Sequence, residues 1–110
     1  MVVRFRAVDR WIFDAIRDGE KKIETRAATK KYRNIKLGDK IDFVCGRSRF
    51  SKKVGCVKIF KSVSALLKKY KSREVNPKCE TRKELQGMYD SFPGYKEKIK
   101  KYGIVALELN

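Results

Sequence analysis

The sequence predicts an α+β fold, a small mixed β-barrel with helices packed over its openings. Segments in which apolar and polar residues alternate, the period of a strand, outnumber what a helical bundle allows. Stretches of helical period fall between them irregularly. The 110 residues, 42% of them hydrophobic, suit one core, and no repeat, low-complexity tract or Gly/Ser linker divides the chain, so residues 1 to 110 read as a single domain.

Residues 2 to 8 set Val3, Phe5 and Ala7 against Arg4 and Arg6, a half-buried first strand. Asp9 is the candidate N-cap of a helix striped with Trp11, Ile12, Ala15 and Ile16, and Gly19 supplies a left-handed ending. A short strand is expected from Lys22 to Arg26. Residues 27 to 35 form a basic connection with room for a helical turn, and Lys36-Leu37-Gly38-Asp39 turns into a strand through Ile41 and Phe43.

The stretch from Gly46 to Lys53, carrying Arg47, Arg49, Lys52 and Lys53, reads as a charged hairpin loop between strands 40–45 and 54–60. Ser62 is the cap of a helix through Ala65, Leu66, Leu67 and Tyr70, and Lys71 to Cys79, with Pro77, reads as an exposed loop. Thr81 and Glu84 are spaced as a capping box for a helix bearing Leu85, Met88 and Tyr89. Pro93-Gly94 ends it, and a further helical turn is expected over 95 to 101. The final segment alternates Ile104, Ala106 and Glu108 against Val105, Leu107 and Leu109, apolar on both faces until Glu108 near its end, which calls for a central place in the sheet.

Charge narrows the function. There are 29 Lys and Arg against 13 Asp and Glu, a formal net charge of +16. A polyanion suits such a surface, because each neutralised phosphate releases condensed counterions. A lysine-rich surface adapted to heat or salt is the competing explanation. There is no histidine, which removes the commonest general base and most transition-metal sites, and the three cysteines at uneven spacing favour neither zinc nor disulfides. No cofactor and no metal are expected. Without an apolar run of about 18 residues or a signal-like segment, the chain reads as a reduced, cytoplasmic, non-membrane protein, with a monomer favoured.

The segment Gly19-Glu20-Lys21-Lys22-Ile23-Glu24-Thr25-Arg26 resembles the GxKxxExR signature of the activating signal cointegrator homology (ASCH) domains. Leu37-Gly38-Asp39-Lys40-Ile41 is similar to that family's Gly-Asp turn, and Met88-Tyr89, Pro93, Tyr95 and Tyr102 to Leu107 are similar to the end of its small prokaryotic members. The resemblance implies a barrel related to the PUA RNA-binding fold with a cleft beside the signature. It also implies RNA or nucleotide binding. One branch of the family hydrolyses N4-acetylcytidine with a Lys, Thr and Glu set, and another member is a ribonuclease, so the resemblance leaves binder and enzyme open.

Lys21, Glu24 and Arg26 put two cations and a carboxylate within six residues. Arg26 can fork onto a base or phosphate, Glu24 can accept from an exocyclic amine, and Lys21 can meet a phosphate or carbonyl oxygen. The alternative is a Glu24–Arg26 ion pair that only braces a strand. Strict alternation puts Lys22, Glu24 and Arg26 on one face and Lys21 and Thr25 on the other, so Lys21 joins Glu24 only if it precedes the regular strand. Glu24 stands where the hydrolase branch has its Thr, which shifts the expectation from catalysis to recognition. The catalytic candidates, should the protein be an enzyme, are Lys21, Glu24 and Glu84, the last with a competing role in the Thr81 cap. Arg47, Arg49, Phe50, Lys52 and Lys53 are candidates for a phosphate-tracking arm with one stacking ring, extended by Arg33, Lys30 and Lys31. Tyr89, with Tyr95 and Tyr102, is a candidate for the cleft wall or for core. The expectation is a noncatalytic RNA- or nucleotide-binding module, with hydrolysis of nucleic acid or nucleosides and a protein-interaction module in transcriptional regulation as alternatives.

Overall fold

A computed structural model describes residues 1 to 110. Its sheet has five strands: β1 (Val2–Phe5), β2 (Ile23–Ala27), β3 (Lys40–Cys45), β4 (Ser48–Phe60) and β5 (Ile104–Leu109). They lie in the order β1-β3-β4-β5-β2, with β1 parallel to β3 and every other pairing antiparallel. The helices are α1 (Arg10–Arg17), α2 (Lys30–Arg33), α3 (Val63–Leu66), α4 (Ser72–Val75), α5 (Arg82–Ser91) and α6 (Tyr95–Tyr102).

β4 makes the curl. Its first half pairs with β3 and its second with β5, and the register shifts between Val54 and Cys56, where Gly55 is the extra residue. A bulge increases local twist, so one thirteen-residue strand turns the sheet into a half-barrel. The two edge strands β1 and β2 do not pair.

The sheet separates two apolar cores. Inside the curl, Phe13 and Ile16 of α1 meet Val3, Ile41, Phe43, Val54, Val105 and Leu107. On the other side, α3 to α6 bring Leu66, Val75, Leu85, Tyr89 and Ile99 against Ile23, Ile104 and Ala106. β5 therefore feeds Val105 and Leu107 to one core and Ile104 and Ala106 to the other, and it lies between β4 and β2 as its two apolar faces require.

Four elements differ from expectation. The first strand stops at Phe5, and Ala7–Asp9 is a 3-10 turn in which the Asp9 carboxylate binds Arg6 instead of capping α1. Residues 48 to 53 are strand and not loop: Cys45 pairs with Ser48 across a two-residue turn at Gly46–Arg47. The expected loop at 71 to 79 contains α4, with Val75 and Cys79 buried, while the helix after Ser62 is only four residues long. Of the three expected caps two form, Ser62 accepting from the Ala65 N–H and Thr81 from that of Glu84. No helix is long and apolar enough to cross a membrane.

Candidate functional site

The seam that β1 and β2 leave open is not empty of structure. A cavity of about 120 Å³ occupies it, bordered by Phe5 from β1 and by Glu24, Thr25 and Arg26 from β2. Trp11 and Ile12 of α1 close one side, and Tyr89 of α5 and Tyr95 of α6 close the other. Val75, the last residue of α4, and Asn76 after it also line the cavity, as do Met88 and Phe92. The volume lies below the roughly 300–1,000 Å³ of pockets for drug-sized ligands, which restricts it to a small group.

Lys21 reaches this cavity because of Gly19. At a φ of 82°, in the left-handed region, Gly19 reverses the chain after α1, and the Lys21 N–H then closes onto the Ala15 carbonyl at 3.0 Å. Lys21 thus precedes β2 and escapes its alternation. Its ammonium donates to the carbonyl of Ile23 at 2.5 Å and to that of Val75, which ties α4 to the start of β2. An ammonium has three donors, so one is left for an occupant of the cavity. Burial lowers the Lys21 pKa from its ordinary 10.5, against the charge of Glu24 and with that of Arg26.

Glu24 and Arg26 lie on the same face of β2, their Oε1 and Nε 3.9 Å apart, and the Glu24 charge raises the Arg26 pKa further. Glu24 Oε1 also accepts the Thr25 N–H at 3.0 Å, a donor that points off the free edge of the sheet. The Arg26 guanidinium lies 5.9 Å from the centre of the Tyr32 ring. Both alternatives raised by the sequence are therefore present in one arrangement, an ion pair and a polar set facing a cavity.

Thr25 faces the other way along the strand, as alternation requires, yet it lines the same cavity because β2 is an edge strand and the cavity wraps around that edge. Its hydroxyl meets the phenol of Tyr89. The Tyr89 ring lies parallel to that of Tyr95, the planes 7° apart and the centroids 6.5 Å apart, and burial pushes the Tyr89 phenol well above its ordinary 10.0. Lys21, Glu24 and Thr25, 7%, 7% and 8% exposed, are the only buried polar or charged residues of the chain, and all three line this one cavity.

The structure thus brings together Lys21, Glu24, Arg26 and Tyr89. It leaves other candidates elsewhere. Lys22 is exposed and outside the cavity, contributing only backbone bonds to Glu74 and Leu109. Glu84 is exposed at the start of α5, its Oε1 accepting the Thr81 hydroxyl at 3.2 Å, so it serves the cap. Arg33 bonds the carbonyls of Ala28 and Tyr102, clamping α2 to the end of α6. Phe50 packs inward, 4.8 Å from the ring of Phe13 and 5.1 Å from that of Phe43. Arg49 pairs with Asp42 at 3.7 Å; Lys53 is exposed along β4, Lys52 is half-buried there, and Arg47 tips the turn. Nothing in the residue spacing marks Trp11, Val75 or Asn76 as cavity walls, since each depends on where a short helix docks. Lys78 sits 3.9 Å from the centre of the Trp11 ring at the margin.

No protein-family model matches the chain, and no curated protein matches it significantly. Two solved structures resemble it along its whole length. The crystal structure of hypothetical protein PH0355 superposes with a TM-score of 0.79 and 32% identity, over 100% of this chain and 98% of that one. The solution NMR structure of protein PF0455 from Pyrococcus furiosus does so with a TM-score of 0.76 and 31% identity, over 100% and 96%.

Proposed function

The chain belongs to the same family as hypothetical protein PH0355 and Pyrococcus furiosus PF0455, names that carry no activity, and from its own site we propose that it is an RNA- or nucleotide-binding domain of the ASCH type that receives a base or modified nucleoside in the seam cavity. The observation that carries this reading is the concentration of every buried polar residue on one small cavity. Burying a charge is costly, and a seam that only needed filling would be filled by apolar side chains. Lys21, Glu24 and Arg26 offer donors and an acceptor suited to the edge of a base, and Tyr89, Tyr95 and Trp11 offer ring faces. The +16 charge supplies attraction to phosphates without choosing a base.

The test is calorimetric or NMR titration with nucleosides and with short single-stranded RNA at low salt. Cytidine or adenosine, which bear an exocyclic amine for Glu24, is expected to bind more tightly than uridine. In Glu24→Gln this preference should fall about five-fold or more, the cost of about 1–3 kcal/mol for a mispaired buried group. With about five phosphates contacted, RNA affinity should decline with a log–log salt slope near −3.5. No binding of nucleoside, nucleotide or RNA at low salt overturns the reading.

A second reading has an observation of its own. Thr25 shares the cavity with Lys21 and Glu24, so a hydroxyl, an amine and a carboxylate stand in one place despite Glu24 occupying the hydrolase branch's Thr position. Release of cytidine from an N4-acylated cytidine by the purified protein, lost in Lys21→Ala, would support hydrolysis.

A further inference from the structure

The cavity accounts for three charged groups, and the excess cations lie elsewhere. All ion pairs but one fall between residues 6 and 49, where Asp9, Asp14, Asp18, Glu24 and Asp42 neutralise Arg6, Arg10, Arg17, Arg26, Lys40 and Arg49. The second half of the chain has a single pair, Lys69 with Glu108 at 3.7 Å. Its cations converge on an open groove of about 540 Å³ between the end of α3 and the start of α5, lined by Lys68, Lys69, Lys71, Arg73 and Arg82 with Glu80 as the one acid. Four of those five cations have no acidic partner. Nearby, Lys58 meets Lys69 amine to amine, a like-charge contact that holds Lys58 below its ordinary pKa of 10.5.

Groove and cavity share a wall. Ser72 and Arg73 of α4 line the groove, whereas Val75 and the next residue, Asn76, line the cavity. A helix is about 10 Å across, so the two lie within about a helix diameter of each other. A strand with one base in the cavity can therefore lay its neighbouring phosphates in the groove without bridging a gap. We propose that the groove lined by Lys68, Lys69, Lys71, Arg73 and Arg82 is a phosphodiester-binding site for a single nucleic-acid strand. The proposal shares with the reading above a nucleic-acid partner and does not depend on the cavity being occupied.

The experiment compares the wild-type chain, the groove variant K68Q/K71Q/R73Q and the charge-matched control K36Q/K96Q/K100Q, whose three exposed lysines do not line the groove. Each is titrated with a fluorescent 12-nucleotide oligouridylate across a salt series, after thermal melts establish that all three fold. Neutralising three phosphate contacts should reduce the magnitude of the salt slope by about 2, at roughly 0.7 per contact on single strands, and lower low-salt affinity more than ten-fold. The control should lose several-fold less. Equal losses in the two variants overturn the groove, as does an unchanged slope. Nucleoside binding in the cavity without oligouridylate binding overturns it and leaves the cavity reading standing. Oligouridylate binding with the expected slope change, but no nucleoside binding, does the reverse. Poly-glutamate bound at the groove in place of RNA also overturns it and identifies an acidic protein as the partner.

Discussion

The hydroxyl of Thr25 meets the phenol of Tyr89, and through this bond the free edge of the sheet is fastened to helix α5. It is a direct side-chain contact between β2 and the helical layer that forms the far wall of the cavity. Tyr89→Phe keeps the ring and removes the bond, leaving Thr25 to find another partner. Stability should fall by about 1 kcal/mol, measured by urea unfolding. The phenol also carries a pH dependence. Because burial raises its folded pKa above the ordinary 10.0, the neutral form stabilises the fold fully below about pH 10, and that contribution is lost as pH rises beyond it. Tyr89→Phe should show a shallower alkaline loss than wild type.

Lys21 has the opposite sign. Burial depresses its folded pKa, so between that value and the ordinary 10.5 the unfolded chain holds more protons than the folded one, and stability gains as pH rises through the window. The contribution is at its least favourable below the folded pKa, where a charge must be buried. Lys21→Met keeps the length of the side chain and abolishes the effect. Comparing unfolding free energies at about pH 8 and 10, the wild type should gain relative to Lys21→Met, and an equal response would show that Lys21 titrates normally.

Phe50 separates two roles. Its packing against Phe13 and Phe43 makes it part of the core inside the curl. Phe50→Ala should cost about 2 kcal/mol or more, less than a fully buried ring, while RNA affinity of the folded protein stays within two-fold or so of wild type. A selective loss of affinity would restore Phe50 as a stacking platform.

Gly103 joins α6 to β5 at a φ of 85°, where a Cβ would lie 2.5 Å from the carbonyl oxygen of Phe60. Neither that backbone region nor that space admits a side chain. Gly103→Ala should destabilise by about 2 kcal/mol or more and lower the Tm by roughly 8 °C or more.

How far the sequence reached depended on whether a signal was local. β5 was legible because two cores left it apolar on both faces, and the Thr81 and Ser62 caps were legible because a cap is decided within four residues. The first half of β4 was not. Its exposed residues Arg49, Ser51 and Lys53 do alternate with Phe50, Lys52 and Val54, but the charges hid a period-two pattern behind the composition of a loop. α4 is a single turn, too short to show a helical period, so neither its existence nor the part Val75 plays was written in spacing. Thr25 was assigned to the right face and its position in the cavity was still missed. Faces are set by alternation, whereas which strand has no neighbour is a property of the whole sheet.

That missing neighbour also bears on how copies of the chain behave toward one another. An unpaired strand is a template onto which a second molecule can add its own, and the row of N–H and C=O groups along β2 would serve. Here Glu24 takes the Thr25 N–H for itself, and α4 and α5 stand along the same border. The residues that shape a recessed site are in this way also a guard against strand addition, and the place where the barrel fails to close is kept from becoming a seed for aggregation.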